Sequence, residues 1–441
     1  MAGLTIIGAG MAGCEAAWVA ANAGISVTLY EMKPKKFSPA HHNPDFAELV
    51  CSNSLKAARV DSAAGLLKEE MTRLGSLLVP CAKETAVEAG GALAVDRDAF
   101  SKLVTEKIRG HKNITVVGQE VSEIPEGQVI VATGPLTSDA LHIPIAELTG
   151  ASLYFYDAAA PIITRDSIDM NKAFFASRYG KGTADYLNCP MTQEEYLAFY
   201  DALIHAESAK LHEFEEEGLR VYEGCMPVEV LAKRGEDAIR YGMMKPVGLT
   251  DPHTGKRPYA VVQLRRENRE GTLWNLVGFQ TNLKFGEQER VFSMIPSLEN
   301  AEFVRYGVMH RNSFLNSPKL LDATYALKSE PRIRFAGQMT GVEGYMESAG
   351  SGLLAGHNAV RAIKGMPPLI LPTDTMLGAL TAYITDPYQE NFQPMGANMG
   401  ILPMVTGKFK QKQEKYRVYA DRALASLDAA LADADLNGER D

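Results

Sequence analysis

The first 31 residues contain a strand, a glycine-rich turn, a helix and a second strand, and this order constrains the fold more than any other feature of the sequence. The apolar pattern predicts a buried strand at residues 4–7, an alanine-rich helix at 14–23 and a second strand at 25–30. The turn reads GAGMAG, a G-x-G-x-x-G pattern whose glycines permit a tight turn, a close approach to a pyrophosphate and helix–strand packing. The unit therefore predicts a dinucleotide-binding domain.

The residues predicted to bind the cofactor lie in this turn and at the end of the second strand. Amide groups at a helix N-terminus bind phosphates. An acidic residue about 20 positions beyond the motif typically binds ribose hydroxyls, and Glu31 stands close to that spacing. The predicted residues are Gly8, Ala9, Gly10, Met11, Ala12, Gly13 and Glu31.

Two later segments favour a flavin over a plain nicotinamide cofactor and divide the chain. Residues 129–132 form a predicted strand that ends in Thr133-Gly134-Pro135, and residues 332–336 form another, followed by Gly337-Gln338 and a helix to Ile363. A nucleotide domain whose last strand arrives so late must hold a large insert. We predict an α/β chain with a discontinuous Rossmann-type FAD-binding domain (1–145 and 320–375), an inserted α+β domain (146–319) that binds the substrate, and a helical C-terminal tail (376–441).

The insert and the tail have mixed patterns. Strands are predicted at residues 153–156, 259–265 and 274–279, and a helix at 193–217. The tail follows Pro367-Pro368, is polar, and carries a basic stretch at 408–422 that is more typical of a solvated helix than of an RNA-binding arm.

Composition excludes several classes of protein. Lys and Arg number 45 and Asp and Glu 54, a net charge of −9, which rules out a strongly basic nucleic-acid coat protein. Five scattered cysteines are too few for a disulfide framework, and no zinc-binding spacing is present. No apolar run approaches the ~18 residues of a membrane span. We expect a cytoplasmic protein.

Two cysteines stand where a thiol is readily activated. Cys51 precedes Ser52-Asn53-Ser54 and a helix predicted from Leu55, and Cys225 precedes Pro227, which predicts a helix at 228–233. A helix N-terminus lowers the pKa of a thiol. The alternative is that both are small buried hydrophobic residues, the commonest role of a free cysteine.

The other cysteines are weaker candidates. Cys14 lies inside the first helix, where packing is its expected role, Cys81 lies in a segment predicted to be at the surface, and a structural role is favoured for Cys189.

Residues 335–345 and the helix after them resemble the C-terminal flavin motif of the glucose-inhibited division protein A family. Five other segments are similar to the short branch of that family, the folate- and FAD-dependent tRNA (uracil-5-)-methyltransferases: residues 49–54, 90–97, 185–192, 244–249 and 306–312. The resemblance covers nearly the whole chain. It implies FAD as cofactor, methylenetetrahydrofolate as carbon donor, NADH or NADPH as reductant of the flavin, and a T-loop uridine of tRNA (uridine 54) as substrate.

The resemblance also assigns roles to residues. It implies that Cys51 and Cys225 carry the chemistry and that Gly337, Gln338 and Tyr345 belong to the flavin site. Three roles are open for Tyr345: stacking on the flavin, stacking on uracil, or packing within the protein.

Methylation of uracil C5 requires the chemistry that these groups supply. A thiolate adds at C6 and makes C5 nucleophilic, the enolate oxygen needs a donor or a cation, and a base removes the C5 proton. Lys245, His310 and Arg311 are candidates for that cation or for contact with RNA phosphates, with a solvated surface charge as the alternative for each. The His41-His42 pair is expected in a loop close to the flavin rather than on a metal.

Two other functions fit the fingerprint alone. One is a flavin-dependent oxidoreductase that acts on a small molecule, which the net charge of −9 mildly favours. The other is a nucleotide-binding partner protein without catalysis. The sequence makes no prediction of oligomeric state.

Overall fold

A computed structural model describes residues 3–150, 153–158, 160–180, 182–209, 226–268, 270–307, 309–389, 392–407 and 409–438. Cys225 lies outside the described residues, as do the side chains of His310 and Arg311. The described strands are β1 Leu4–Ile7, β2 Val27–Glu31, β3 Ser54–Ala57, β4 Ala86–Val87, β5 Ala92–Val95, β6 Ile114–Gly118, β7 Gln128–Val131, β8 Leu153–Ala158, β9 Ile162–Thr164, β10 Phe174–Phe175, β11 Leu187–Met191, β12 Ala260–Arg266, β13 Leu273–Leu276, β14 Phe303–Arg305, β15 Met309–Phe314, β16 Ala326–Leu327 and β17 Glu330–Phe335. The described α-helices are α1 Met11–Asn22, α2 Ala63–Arg73, α3 Leu78–Glu84, α4 Arg97–Gly110, α5 Asp139–Thr149, α6 Gln193–Ile204, α7 Val228–Ala232, α8 Glu236–Arg240, α9 Phe285–Phe292, α10 Ser317–Leu320, α11 Tyr345–Ile363, α12 Met376–Thr385 and α13 Lys412–Gly438.

The main sheet is a Rossmann-type sheet, as the sequence predicts. Its strand order is β16-β17-β7-β1-β2-β6, and only the edge strand β16 runs antiparallel to its neighbour. β1 lies between β2 and β7, in parallel register with both. The late strand β17 pairs with β7, so a segment more than 300 residues from the first strand completes the same sheet.

Helices α1 and α11 pack unusually closely beside this sheet. A Cβ atom placed on Gly352 of α11 would lie 2.1 Å from the backbone oxygen of Ala12, and one on Gly356 would lie 2.9 Å from Cα of Ala16. Glycine therefore allows the two helix backbones to touch. The contact fixes α11 directly over the glycine-rich turn at the start of α1.

A second, antiparallel sheet forms the inserted α+β part, with strand order β10-β11-β12-β13-β9-β14. One face packs on α6, α7 and α9 through a separate apolar core that includes Phe199, Val228 and Phe292. The chain passes between the two parts through β8 and β15, which pair antiparallel from Leu153↔Phe314 to Ala158↔Met309. The predicted domain boundaries stay a prediction.

The C-terminal segment is helical, but its first helix is not polar as the sequence analysis expects. Helix α12 buries Leu377 and Leu380 in the core of the main sheet, and the carboxylate of Glu70 accepts the N–H groups of Met376 and Leu377 at 2.7 and 2.9 Å. Helix α13 packs on the same core through Ala423 and its neighbours.

Two predicted helices differ from the structure. No helix begins at Leu55, because Ser54 pairs with β5 and the Asn53 side chain donates to the carbonyl of Val95 at 3.0 Å, so these residues do not cap a helix. The helix predicted at 193–217 ends at Ile204, and the N–H of Ala209 donates instead to the carbonyl of Asn282 at 2.7 Å. Residues 210–217 lie outside the described part of the chain.

Candidate active site

A deep cleft opens where β1, β2 and β7 meet the N-termini of α1 and α11. Its empty volume is about 1490 Å³, part of which is open solvent. It brings together the predicted cofactor residues of both chain segments and one of the two predicted thiols. The lining includes Gly8, Ala9, Gly10, Met11, Ala12, Glu31, Lys33, His41, Cys51, Thr133, Gly134, Gly337, Gln338, Tyr345 and Ser348.

The three motif glycines occupy different places. Gly8 has φ +99°, a conformation that glycine adopts without strain, and a Cβ there would lie 2.6 Å from the carbonyl oxygen of Ala132. Gly13 lies beneath the cleft, where a Cβ would strike the oxygen of Gly8 at 1.8 Å. Gly10 has no atom within 4 Å of the place where its Cβ would be. The cleft is therefore open beside Gly10, next to the free amides of α1, where an anionic group is favoured.

Glu31 joins the end of β2 to the turn. Its carboxylate accepts the N–H of Ala9 at 2.9 Å and the N–H of Lys33 at 3.0 Å, and the residue is only 8% exposed. These bonds hold the carboxylate at the cleft wall, where its remaining lone pairs can accept hydroxyl groups.

The second chain segment closes the opposite wall. The N–H of Gly337 donates to the Ser351 hydroxyl at 2.7 Å, and the Gln338 amide donates to Glu343 at 2.8 Å. The first bond ties the turn that carries Gly337 to α11, and the second joins the turn to the residues just before that helix.

Cys51 lies against Tyr345 on the cleft wall. The N–H of Cys51 donates to the phenol oxygen at 2.7 Å, and that oxygen lies 3.1 Å from the Cys51 sulfur. Burial and the charge of Cys51 hold the pKa of Tyr345 well above its ordinary value, although Arg97 opposes them. The phenol therefore keeps its proton, which it can donate to the sulfur.

The loop before Cys51 is held by a residue that the sequence analysis did not single out. Arg97, the first residue of α4, donates to the carbonyls of Leu49 and Val50 at 2.7 and 2.9 Å. It also pairs with Glu267, which follows β12 of the inserted sheet. Arg97 is the last residue of the motif at residues 90–97. Sequence spacing could not predict its pairing with Glu267, because the two residues are 170 positions apart.

The other described cysteines are buried and do not line this cleft, although the Cys14 thiol donates to the carbonyl of the lining residue Ala9 at 3.3 Å. Burial raises the pKa of Cys14 well above its ordinary value, that of Cys81 to about 11 and that of Cys189 to about 12. Cys81 is fully buried in α3, so the prediction that it lies at the surface is wrong; its side chain turns into the core of the main sheet. All three thiols are kept neutral.

Two further predicted residues fall in different places. His41 lines the cleft, its Nδ1 lies 2.6 Å from the Ser38 hydroxyl, and burial lowers its pKa. Lys245 is exposed on the inserted part, where its carbonyl accepts a hydrogen bond from the Arg178 guanidinium at 2.5 Å.

Among the described residues no cluster of His, Cys, Asp and Glu could hold a metal ion. No helix in the described part of the chain has the length and apolar character needed to cross a membrane.

Comparison with known proteins agrees with this geometry. The sequence model of the family described as "Glucose inhibited division protein A" matches residues 3–367. The methylenetetrahydrofolate--tRNA-(uracil-5-)-methyltransferase TrmFO of Enterococcus faecalis is 59% identical over 96% of this chain and 97% of its own length. The TrmFO of Desulforamulus reducens is 60% identical, over 96% of each chain.

Solved structures show the same fold at much lower identity. The form II crystal structure of Aquifex aeolicus GidA has a TM-score of 0.69 and 17% identity, and the match covers 99% of this chain and 73% of that one. The form I crystal gives a TM-score of 0.70 at 16% identity.

Proposed function

Because this chain belongs to the glucose inhibited division protein A family, we propose that it transfers a one-carbon unit from methylenetetrahydrofolate to C5 of a tRNA uridine, as an FAD-dependent methyltransferase. The observation that carries the proposal is the thiol of Cys51, 3.1 Å from the Tyr345 phenol on the wall of the dinucleotide cleft. A thiol at that place is what C5 methylation requires. Hydride transfer to a small molecule does not in itself require a thiol.

The cleft fits FAD. Gly10 and the α1 amides would hold the pyrophosphate in the open space beside them, Glu31 would bind the ribose, and Gly337 and Gln338 would hold the flavin end. When bound, FAD in its reduced form supplies the hydride that turns the transferred methylene into a methyl group.

The chain's own residues handle the thiol and the protons. The Cys51 thiol loses its proton to a base and adds to C6 of the uracil, and electron density moves to C5 and O4. C5 then attacks the methylene carbon, and the folate nitrogen leaves with the electron pair of its bond to that carbon. After the C5 proton is removed and the methylene is reduced, the sulfur leaves C6. The Tyr345 hydroxyl lies within hydrogen-bond distance of the sulfur, at 3.1 Å, and so holds the thiol in one orientation. We assign Cys225 to the same site as the partner that activates Cys51 or removes the C5 proton, an assignment that rests on the family resemblance.

The remaining substrates follow from the same proposal. We take the target to be uridine 54 in the T loop and the flavin reductant to be NADH or NADPH, docking transiently because one dinucleotide fingerprint is present. We infer a cytoplasmic location from the proposed tRNA and folate substrates.

The decisive experiment uses tRNA with 5-fluorouridine at the target position, where fluorine prevents loss of the C5 substituent and traps the thiol adduct. The parent protein and Cys81→Ala should form a covalent complex with the RNA. Cys51→Ala should retain flavin, form no adduct and lose methylation by more than the ~10²–10⁴-fold of a single proton-transfer step. Normal trapping and methylation by both Cys51→Ala and Cys225→Ala would refute the proposal.

A further inference from the structure

Two arginines from different elements hold the loop that carries Cys51. On the side before the thiol, Arg97 donates to the carbonyls of Leu49 and Val50. On the side after it, Arg265 of β12 donates to the Asn53 side chain at 3.1 Å and the Ser52 hydroxyl at 2.9 Å. Arg265 and Glu267 lie on the same face at the end of β12. The inserted sheet therefore places one positive and one negative side chain at the Cys51 loop.

The pair formed by Arg97 and Glu267 is buried, with side chains 13% and 4% exposed. Burial alone would lower the pKa of Arg97, but the charges of Glu267, Tyr345 and Cys51 raise it above its ordinary value. The attraction is mutual, because a charge that favours the guanidinium is itself favoured by it. The guanidinium therefore stabilises negative charge on the thiol and phenol beside it.

No helix N-terminus directly follows Cys51 to supply positive potential at its thiol. A helix N-terminus after Cys51 would supply positive potential, but Ser54 begins β3 and α2 starts only at Ala63. Arg97 supplies the charge from another direction.

We propose that Arg97 is the positioning residue of Cys51: it fixes the backbone before the thiol and holds a positive charge beside it, with Glu267 of the inserted part as its anchor. The inference rests on the proposed function and names the residue that prepares its thiol. Other charged groups face the same cluster. They are Glu48, Arg265 and Arg305, and the pKa of Arg305 is lowered by its burial and by Arg97.

The test separates the charge from the backbone contacts with three variants: Arg97→Lys, Glu267→Gln, and the double variant Arg97→Gln with Glu267→Gln. The readout is the rate at which iodoacetamide alkylates Cys51 at neutral pH in the flavin-loaded protein, measured on the Cys51 peptide by mass spectrometry. No tRNA or folate is present. Methylation of a tRNA transcript is measured separately.

The matched control pair is Arg332 and Glu330. Arg332 also donates to two carbonyls, those of Pro125 and Gly127, and pairs with a glutamate. The double variant of this pair removes the same chemical groups from the main sheet rather than from the thiol loop. Its alkylation rate should equal that of the parent.

Glu267→Gln leaves the guanidinium without its countercharge, so Cys51 should be alkylated faster than in the parent. The double variant lacks the guanidinium as well, and its rate should fall about tenfold below that of Glu267→Gln, the low end of the effect of a neighbouring opposite charge. Arg97→Lys keeps the charge but loses the forked contacts, so alkylation should stay within about twofold while methylation drops at least tenfold.

Equal alkylation rates in Glu267→Gln and the double variant, both with flavin retained, would overturn the inference. If Glu267→Gln does not fold, Arg97→Lys and Arg97→Gln decide in the same way, since both keep Glu267 and only the lysine keeps a positive charge at position 97. If the variants show the expected alkylation rates but the parent protein never methylates tRNA, the proposed function is refuted instead.

Discussion

Replacing Gly352 by alanine tests whether the contact between α1 and α11 holds the phosphate-binding turn in place. The added Cβ would lie 2.1 Å from the oxygen and 2.5 Å from the Cα of Ala12, both backbone atoms that cannot rotate away. Overpacking costs ~1–3 kcal/mol, and at a backbone contact we take the upper value. Alanine regains ~1 kcal/mol in a helix interior, which leaves a loss of about 2 kcal/mol. At ~2.1 cal/mol/K of unfolding entropy per residue, a chain of 441 residues loses about 1 °C per kcal/mol, so the melting temperature should fall by roughly 2 °C.

Flavin binding should suffer with it, because Ala12 lines the cleft and moves when α11 is displaced. The matched control is Gly286→Ala in α9, an exposed helical glycine with no atom within 4 Å of its Cβ position, which should be neutral or gain ~0.5–1 kcal/mol. The assay is thermal denaturation of the flavin-free protein, together with flavin absorbance after purification. If Gly352→Ala matched Gly286→Ala in both measurements, the reasoning about the helix contact would be wrong.

Three further outcomes are expected. Gly10→Val should fold but lose most of its flavin absorbance, because a branched side chain fills the open space that we assign to the pyrophosphate. Labelled S-adenosylmethionine should leave tRNA unlabelled when incubated with the enzyme, since folate provides the carbon; label in the RNA would contradict this. Burial raises the pKa of Glu70 from 4.5 to about 7, so the folded state keeps a proton that the unfolded chain releases. The stabilising contribution of Glu70 is thus complete below pH 4.5 and disappears as the pH rises toward 7, and the melting temperature of Glu70→Gln should change less across that window than that of the parent.

The sequence predicted best what is local. The unit β1-α1-β2 forms as expected because its strand, glycine turn and helix lie within 31 residues and each requires the others. The return of the chain at β17 was also predictable, since a short apolar strand followed by Gly337 and a long helix repeats the same local pattern.

The surroundings of Cys51 could not be predicted in this way. The polar run after it resembles a helix cap, but Asn53 donates to carbonyls of β5 and the inserted sheet, and these contacts span up to 214 positions. The phenol beside the thiol comes from Tyr345, 294 residues away. Sequence spacing indicates how a residue interacts with its neighbours along the chain. The surroundings of the Cys51 thiol are instead formed by partners from three distant segments.

The paired strands β8 and β15 have a consequence for the way the insert can vary. The chain leaves the main sheet and returns to it on adjacent, hydrogen-bonded strands, from Leu153↔Phe314 onward. The insert is therefore connected to the main sheet like one long hairpin, whose two strands are hydrogen-bonded to each other at its base. Lengthening or trimming loops at the far end of that hairpin leaves the separation of its ends unchanged, and domain insertions are tolerated where the ends meet in this way. The far end of the inserted part can thus vary in length while the register of the main sheet stays as it is.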